Sequence, residues 1–217
     1  MDWLGRLTRR SPPPGTQRAE EATPGVETAA PGVAVMLDEL AENGSHAVLD
    51  LGPAAPSNLR VYSRFASRIR FADLTGQAAS SRGRGPADQF AQALPPQPDQ
   101  PYDLVFAWDV LDRLLPEYHA PLVARLVEVT APGARLHVVV SAGEKSTTRP
   151  LRLMLLDTEH MRYEHTGPAR PALPRLLPAQ VAQVLKPFRV IRGFTLKGDL
   201  REYVAAKGEA DEPESDR

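Results

Sequence analysis

The run His46-Ala47-Val48-Leu49-Asp50-Leu51-Gly52 constrains the fold of this chain more than any other feature. Its apolar residues follow one another without polar alternation, so a strand built from them needs cover on both faces. Strands of that kind belong to parallel sheets whose crossovers are helices. The flanking sequence supplies those helices. Val33, Met36, Leu37 and Leu40 recur at helical spacing before the run, and Asn43-Gly44 follows as a stop signal.

The alternation continues downstream. Residues 57–65 form a candidate helix with Leu59, Tyr62 and Phe65 on one side, and residues 68–74 a second strand holding Asp73. A weak helix is expected over 87–94. No convincing strand lies between 75 and 100, so one element of a regular alternation is missing or irregular there. Residues 102–109 read as a third buried strand, 117–130 as an amphipathic helix with Leu122, Val123, Leu126 and Val127 inward, and 135–140 as a fourth strand after the break at Pro132-Gly133. A helix over 178–185 precedes strands at 188–196 and 201–206, joined by Lys197-Gly198-Asp199, a hairpin-sized connection. The expected fold is α/β: a mostly parallel sheet, helices on both faces, and a C-terminal antiparallel hairpin.

Proline placement sets the expected boundaries, since the 22 prolines are unevenly spread. Residues 1–30, with Ser11-Pro12-Pro13-Pro14-Gly15, are too polar and proline-rich to offset the entropy of ordering and are expected to be disordered. Within them, Trp3, Leu4 and Leu7 at helical spacing among basic residues read as a frayed terminus or as a short docking helix. Residues 31–207 form the expected domain, and 208–217 an acidic disordered tail.

In open α/β sheets, ligands lie beyond the carboxyl ends of the strands. Three acids fall at such ends: Asp50, Asp73 and Asp109. Asp73 follows Gly52 at the spacing where a carboxylate can accept hydrogen bonds from a ribose diol. Any one of them alone is ordinary, since Asp commonly ends strands as a turn former; the set points to a ligand site.

Val48-Leu49-Asp50-Leu51-Gly52, Asp73, Tyr102-Asp103-Leu104-Val105 and Pro132-Gly133-Ala134-Arg135-Leu136 together resemble the ordered motifs of class I S-adenosylmethionine-dependent methyltransferases. The resemblance covers roughly residues 33–207 and implies a Rossmann-like methyltransferase fold with S-adenosylmethionine as cofactor. By position it implies that Asp50 and Gly52, with Pro53 and Ala54 after them, line the methionine end, and that Asp73 holds the ribose hydroxyls. Ala107 and Trp108 would form the cofactor floor, and Asp109 would face the acceptor as the best candidate base, with His160 and His165 as the other candidates. For Trp108 a second assignment stands beside the first, an aromatic that simply covers the sheet end.

The chain departs from the family pattern where that pattern matters most. The family reads acid-x-Gly-x-Gly-x-Gly, and here Ala54 and Pro56 replace the second and third glycines. An alanine methyl resists φ > 0, and a proline removes an N–H that could face a ligand, although Pro56 suits the first turn of a helix. Two function classes follow. One is a methyltransferase acting on a small-molecule or otherwise unidentified acceptor; the other is a non-catalytic methyltransferase-fold protein serving as a binding or regulatory module.

Composition narrows the remainder. With 26 Lys and Arg against 27 Asp and Glu there is no global pull toward nucleic acid, and the arginines at 149, 152, 162 and 170 lack the aromatic interleaving of a nucleic-acid surface. No apolar run approaches the ~20 residues of a membrane span. The chain has no cysteine, which removes disulfides, thiolate zinc sites and cysteine nucleophiles and suits a cytoplasmic protein. Glu159-His160 and Glu164-His165 match no standard metal spacing, so no metal site is expected. The sequence sets neither the acceptor nor the oligomeric state.

Overall fold

The computed structural model describes residues 25–38, 40, 45–74, 86–94, 100–143 and 147–208. In chain order the strands are β1 (Val26–Ala29), β2 (His46–Asp50), β3 (Ala66–Phe71), β4 (Tyr102–Trp108), β5 (Thr130–Ser141), β6 (Thr147–Thr148), β7 (Leu151–Leu155), β8 (His160–His165), β9 (Arg170–Pro171), β10 (Arg189–Leu196) and β11 (Leu200–Ala206). The helices are α1 (Pro31–Leu37), α2 (Pro56–Tyr62), α3 (Pro86–Ala93), α4 (Val110–Arg113), α5 (Pro116–Val129) and α6 (Pro178–Val184).

Among the described residues the main sheet has six strands in the order β10-β11-β5-β4-β2-β3. The pairs β2–β3, β2–β4 and β4–β5 are parallel, while β11 pairs antiparallel with β5 and with β10. The chain leaves β2 toward β3 on one side and returns to β4 on the other. That reversal opens a crevice at the carboxyl ends of β2 and β4, the usual place for a ligand. The hairpin β10–β11 turns on Gly198 (φ 76°) and Asp199 (φ 57°). Two successive positive φ values match the twist that tight hairpins prefer.

Side chains alternate along β4, and so divide the core in two. Val105 and Ala107 point toward α3, α5 and α6, where they join Leu122, Leu126 and Leu136. Leu104, Phe106 and Trp108 point to the opposite face, against Val33, Met36, Val61 and Tyr62 of α1 and α2. Part of that second face is covered by a small antiparallel sheet, ordered β1-β8-β7, which places Leu153, Leu155, Met161 and Tyr163 in the same cluster.

Three sequence expectations shift. Residues 26–29, expected within the disordered segment, are a strand paired from Val26↔Tyr163 to Ala29↔His160. Four residues carry no periodicity of their own; β8 supplies the partner that their backbone needs. Leu59, expected inward, is 47% exposed, because α2 turns Asn58, Val61 and Tyr62 to the core instead. The helix expected to 130 ends at Val129, and Pro132-Gly133 lies inside β5, where Gly133 (φ 73°) accompanies a register irregularity against β4. Residues 1–24 and 209–217 lie outside the described residues.

A buried hydrogen-bonded arrangement fastens α1 to the sheet. Helix α1 has no side-chain cap of its own at Ala30. The N–H groups of Gly32 and Val33 donate instead to Glu202 of β11, at 2.7 and 3.2 Å. Glu202 Oε1 also lies 2.6 Å from His137 Nε2, with both side chains fully buried. Two otherwise orphaned helix donors are thereby satisfied across the core. A Cβ on Gly32 would stand 2.6 Å from Glu202 Cδ, so Gly32→Ala is expected to cost ~1–3 kcal/mol by overpacking despite the ~1 kcal/mol gain in helix propensity. Urea unfolding of the two proteins checks it.

Candidate functional site

Asp50 ends β2 in the crevice and is fully buried. Its Oδ1 accepts hydrogen bonds from Gly52 N (2.8 Å) and Trp108 Nε1 (2.6 Å). Its Oδ2 accepts from Tyr62 Oη (2.8 Å) and Asn58 Nδ2 (3.1 Å). Burial raises the Asp50 carboxyl, and these four donors pull it back down. The same burial, with Asp50 alongside, pushes the Tyr62 phenol well above its ordinary range. Every strong acceptor direction of the carboxylate is thus taken by the protein itself.

Trp108 closes the arrangement. Its backbone is left-handed (φ 50°), which a bulky residue adopts only under local constraint, and it sits at a register irregularity between β4 and β5. The indole stacks on Phe106 (5.4 Å, 29°) and meets His137 edge-on (5.4 Å, 77°). It is 3% exposed. A Cβ built on Gly52 would stand 3.1 Å from Trp108 Cδ1 and 3.3 Å from Nε1. The space that a glycine leaves open at position 52 is filled by the indole.

The remaining candidates are spread over the crevice. Pro53 and Ala54 are exposed, and Pro56 is the first residue of α2. Asp73 lies past β3 with φ 40° and its N–H on Gly52 O (3.2 Å). Ala107 packs in the core cluster on the α5 side of the sheet. Asp109 is buried, and its Oδ2 accepts from Arg113 Nε (2.8 Å) and Leu151 N (3.2 Å). Its Oδ1 has no partner among the described residues. Burial raises the Asp109 carboxyl, while Arg113 opposes that rise.

Pro53, Asp73 and Asp109 share the wall of a cavity of about 630 Å³. Asp112 and Arg113 of α4 also line it, with Arg149, which follows β6, Arg152 of β7 and Arg170 of β9. His160 and His165 are not among its lining residues. His160 is exposed and bonded to Asp157 at 3.1 Å, and Arg162 pairs with Glu27 across β8 and β1. Among the described residues no cluster of three potential metal ligands occurs, and no helix is long and apolar enough to cross a membrane.

No protein-family profile matches the sequence, and no curated protein matches it significantly. Solved structures do match. A SAM-dependent methyltransferase from Methanosarcina mazei superposes with a TM-score of 0.52 at 13% identity, over 81% of this chain and 98% of the other. An S-adenosylmethionine-dependent methyltransferase from Mesorhizobium loti gives 0.50 at 14% identity, over 82% and 96%. The pyocyanin biosynthetic protein PhzM gives 0.45 at 14% identity over 82% of this chain, which spans only 54% of PhzM's length.

The chain has the class I S-adenosylmethionine-dependent methyltransferase fold. At such identities the likeness speaks for architecture alone.

Within this methyltransferase fold, sequence reasoning missed the partners of Asp50. Asn58 gave no signal, since it sits on an ordinary helix face, yet its Oδ1 also accepts from Leu155 N (2.8 Å) and so ties β7 to the crevice. The strands β7 and β8 were missed as well. Part of their signal was present, because Met161 and Tyr163 of β8 alternate with polar residues at period two, and Leu151, Leu153 and Leu155 of β7 alternate with Arg152 and the apolar Met154.

Asp112 is a further displaced titratable group of the crevice. Burial lifts its carboxyl from the ordinary 3.8 to about 6, against the bond that it accepts from Ser141 N. The folded protein therefore holds this proton more tightly than the unfolded chain does, and stability falls as pH rises from about 4 to about 6. Asp112→Asn retains an acceptor for Ser141 and removes the titration. Relative to wild type it is expected to gain up to ~3 kcal/mol at pH 7 and almost nothing at pH 4, measured by urea unfolding across that range. A difference independent of pH would refute the assignment.

Proposed function

We propose that this chain is a methyltransferase-fold binding protein that does not seat S-adenosylmethionine in the manner of the enzymes it resembles. The observation that carries the reading is the indole of Trp108 against Gly52, hydrogen-bonded to Asp50. The family resemblance assigns close approach of cofactor to bare backbone at Gly52, and hydrogen bonding at Asp50. Here the first is met by an aromatic ring, and the second by four protein donors. Admitting a ligand would require moving a buried ring out of its stack and leaving a buried carboxylate short of a donor, which costs ~1–3 kcal/mol per group. Pro53 and Pro56 stiffen the loop between, and Pro56 has no N–H to offer.

What this leaves for function is the cavity beside the closed cradle, which we read as a small-molecule site. Its volume, about 630 Å³, falls in the ordinary range for such sites. The acidic Asp109 and Asp112 and the arginines around them make an oriented polar wall in front of Pro53, Leu115 and Leu151. The cysteine-free composition suits a reducing compartment, so a cytoplasmic location belongs to this reading.

Methyl transfer to a small-molecule acceptor is the second reading, and one observation favours it: Pro53, Asp73 and Asp109 line one cavity. In that reading Asp73 meets the ribose hydroxyls, and Asp109, with its raised carboxyl and unpartnered Oδ1, takes the acceptor's proton.

Calorimetric titration of the full chain with S-adenosylmethionine and S-adenosylhomocysteine separates the two. The closed cradle predicts no saturable heat with either ligand up to ~1 mM. A Kd tighter than ~100 µM for either would return the chain to the catalytic reading.

A further inference from the structure

The arginines that face the cavity differ in what they already hold. The guanidinium of Arg113 is engaged, with Nε on Asp109 and a terminal nitrogen on the Leu151 carbonyl. Arg149, Arg152 and Arg170 also line the cavity, and their side chains make no hydrogen bond or ion pair with any described residue. All three are exposed. They come from the segment between β6 and β9, which is not a methyltransferase motif in the sequence and which folds over the crevice as β7 and β8.

Two of the acids in the lining are engaged elsewhere and do not neutralise these cations. Asp109 is paired with Arg113, and Asp112 faces the Ser141 N–H. The cavity thus presents three uncommitted cations. The lining also includes Asp109, whose buried Oδ1 has no partner among the described residues, and the apolar Pro53, Leu115, Leu151 and Leu173. Planar guanidiniums that converge on a recess recognise carboxylate and phosphate oxygens with directional, charge-assisted bonds. An unpaired buried acceptor is costly unless a donor reaches it.

We propose that the cavity takes a small organic anion, with its carboxylate or phosphate held by Arg149, Arg152 and Arg170, its apolar body against the proline–leucine wall, and a donor group directed to Asp109. The inference rests on reading the cavity as the ligand site, and it does not require that S-adenosylmethionine be excluded.

The test uses the full chain and three probes that share a ring: phenyl phosphate, benzoate and uncharged benzyl alcohol. Calorimetry in 50 mM and 300 mM NaCl is expected to give saturable binding of one or both anions, weaker at the higher salt, and none of the alcohol. Phenyl phosphate binding alone assigns a phosphate ligand, and benzoate alone a carboxylate. Arg149→Gln and Arg170→Gln should each weaken the Kd about ten-fold while leaving the melting temperature unchanged. Arg192→Gln, on β10 away from the cavity, should leave binding as it was. Absence of saturation with both anions, equal binding of benzyl alcohol, or binding indifferent to the two arginine variants overturns the proposal. Parallel titration with S-adenosylmethionine keeps the two claims separate. If it binds and the arginine dependence of the anions persists, the closed cradle is wrong and the anion site stands.

Discussion

The carboxylate of Asp50 is the point on which this structure turns. It gathers the end of β2, the following loop, helix α2 and the end of β4 into one buried network through Gly52, Asn58, Tyr62 and Trp108. Asn58 then extends the network to β7 by accepting the Leu155 N–H. A charge at this depth is tolerable only with such a complete set of donors, and removing any one of them leaves the rest strained. The same completeness underlies the proposed function, because an acceptor already saturated by the protein has little left for a ligand.

The network also explains the split between the two halves of the crevice. On the Asp50 side, the aromatic stack of Phe106, Trp108 and His137 fills the space beside the cradle, and the His137–Glu202 pair fixes α1 behind it. On the Asp109 side the chain is open, with a cavity, an unpartnered carboxylate oxygen and arginines facing in. The crevice of this methyltransferase fold thus has a filled side at Asp50 and an open side at Asp109.

Much of this architecture was legible in the sequence, for a physical reason. The run ending at Asp50, the strand ending at Trp108 and the helix over α5 are long and strongly patterned, so burial alone specifies them. Asp50, Asp73 and Asp109 were singled out because strand ends in such sheets meet at one crevice. The connections across the fold were not legible. Glu202 and His137 are 65 residues apart, and Asn58 and Leu155 are 97 apart. Nothing local marks either pair. Strand β1 has only four residues, with one buried side chain, and depends wholly on β8 for its definition. The strands β7 and β8 did alternate, but the charged residues interleaved among them read as a solvated loop. For Trp108 the sequence offered two roles, and only the indole's position beside Gly52 gives one of them a geometry.

The most direct test of the closed cradle is the indole proton of Trp108 in a ¹⁵N correlation spectrum, assigned against the chain's other tryptophan, Trp3. A hydrogen bond of 2.6 Å to a buried carboxylate predicts a downfield resonance, slow to exchange with deuterium and unmoved by several millimolar S-adenosylmethionine. An indole proton that exchanges rapidly, or that shifts saturably as S-adenosylmethionine is added, would contradict the account.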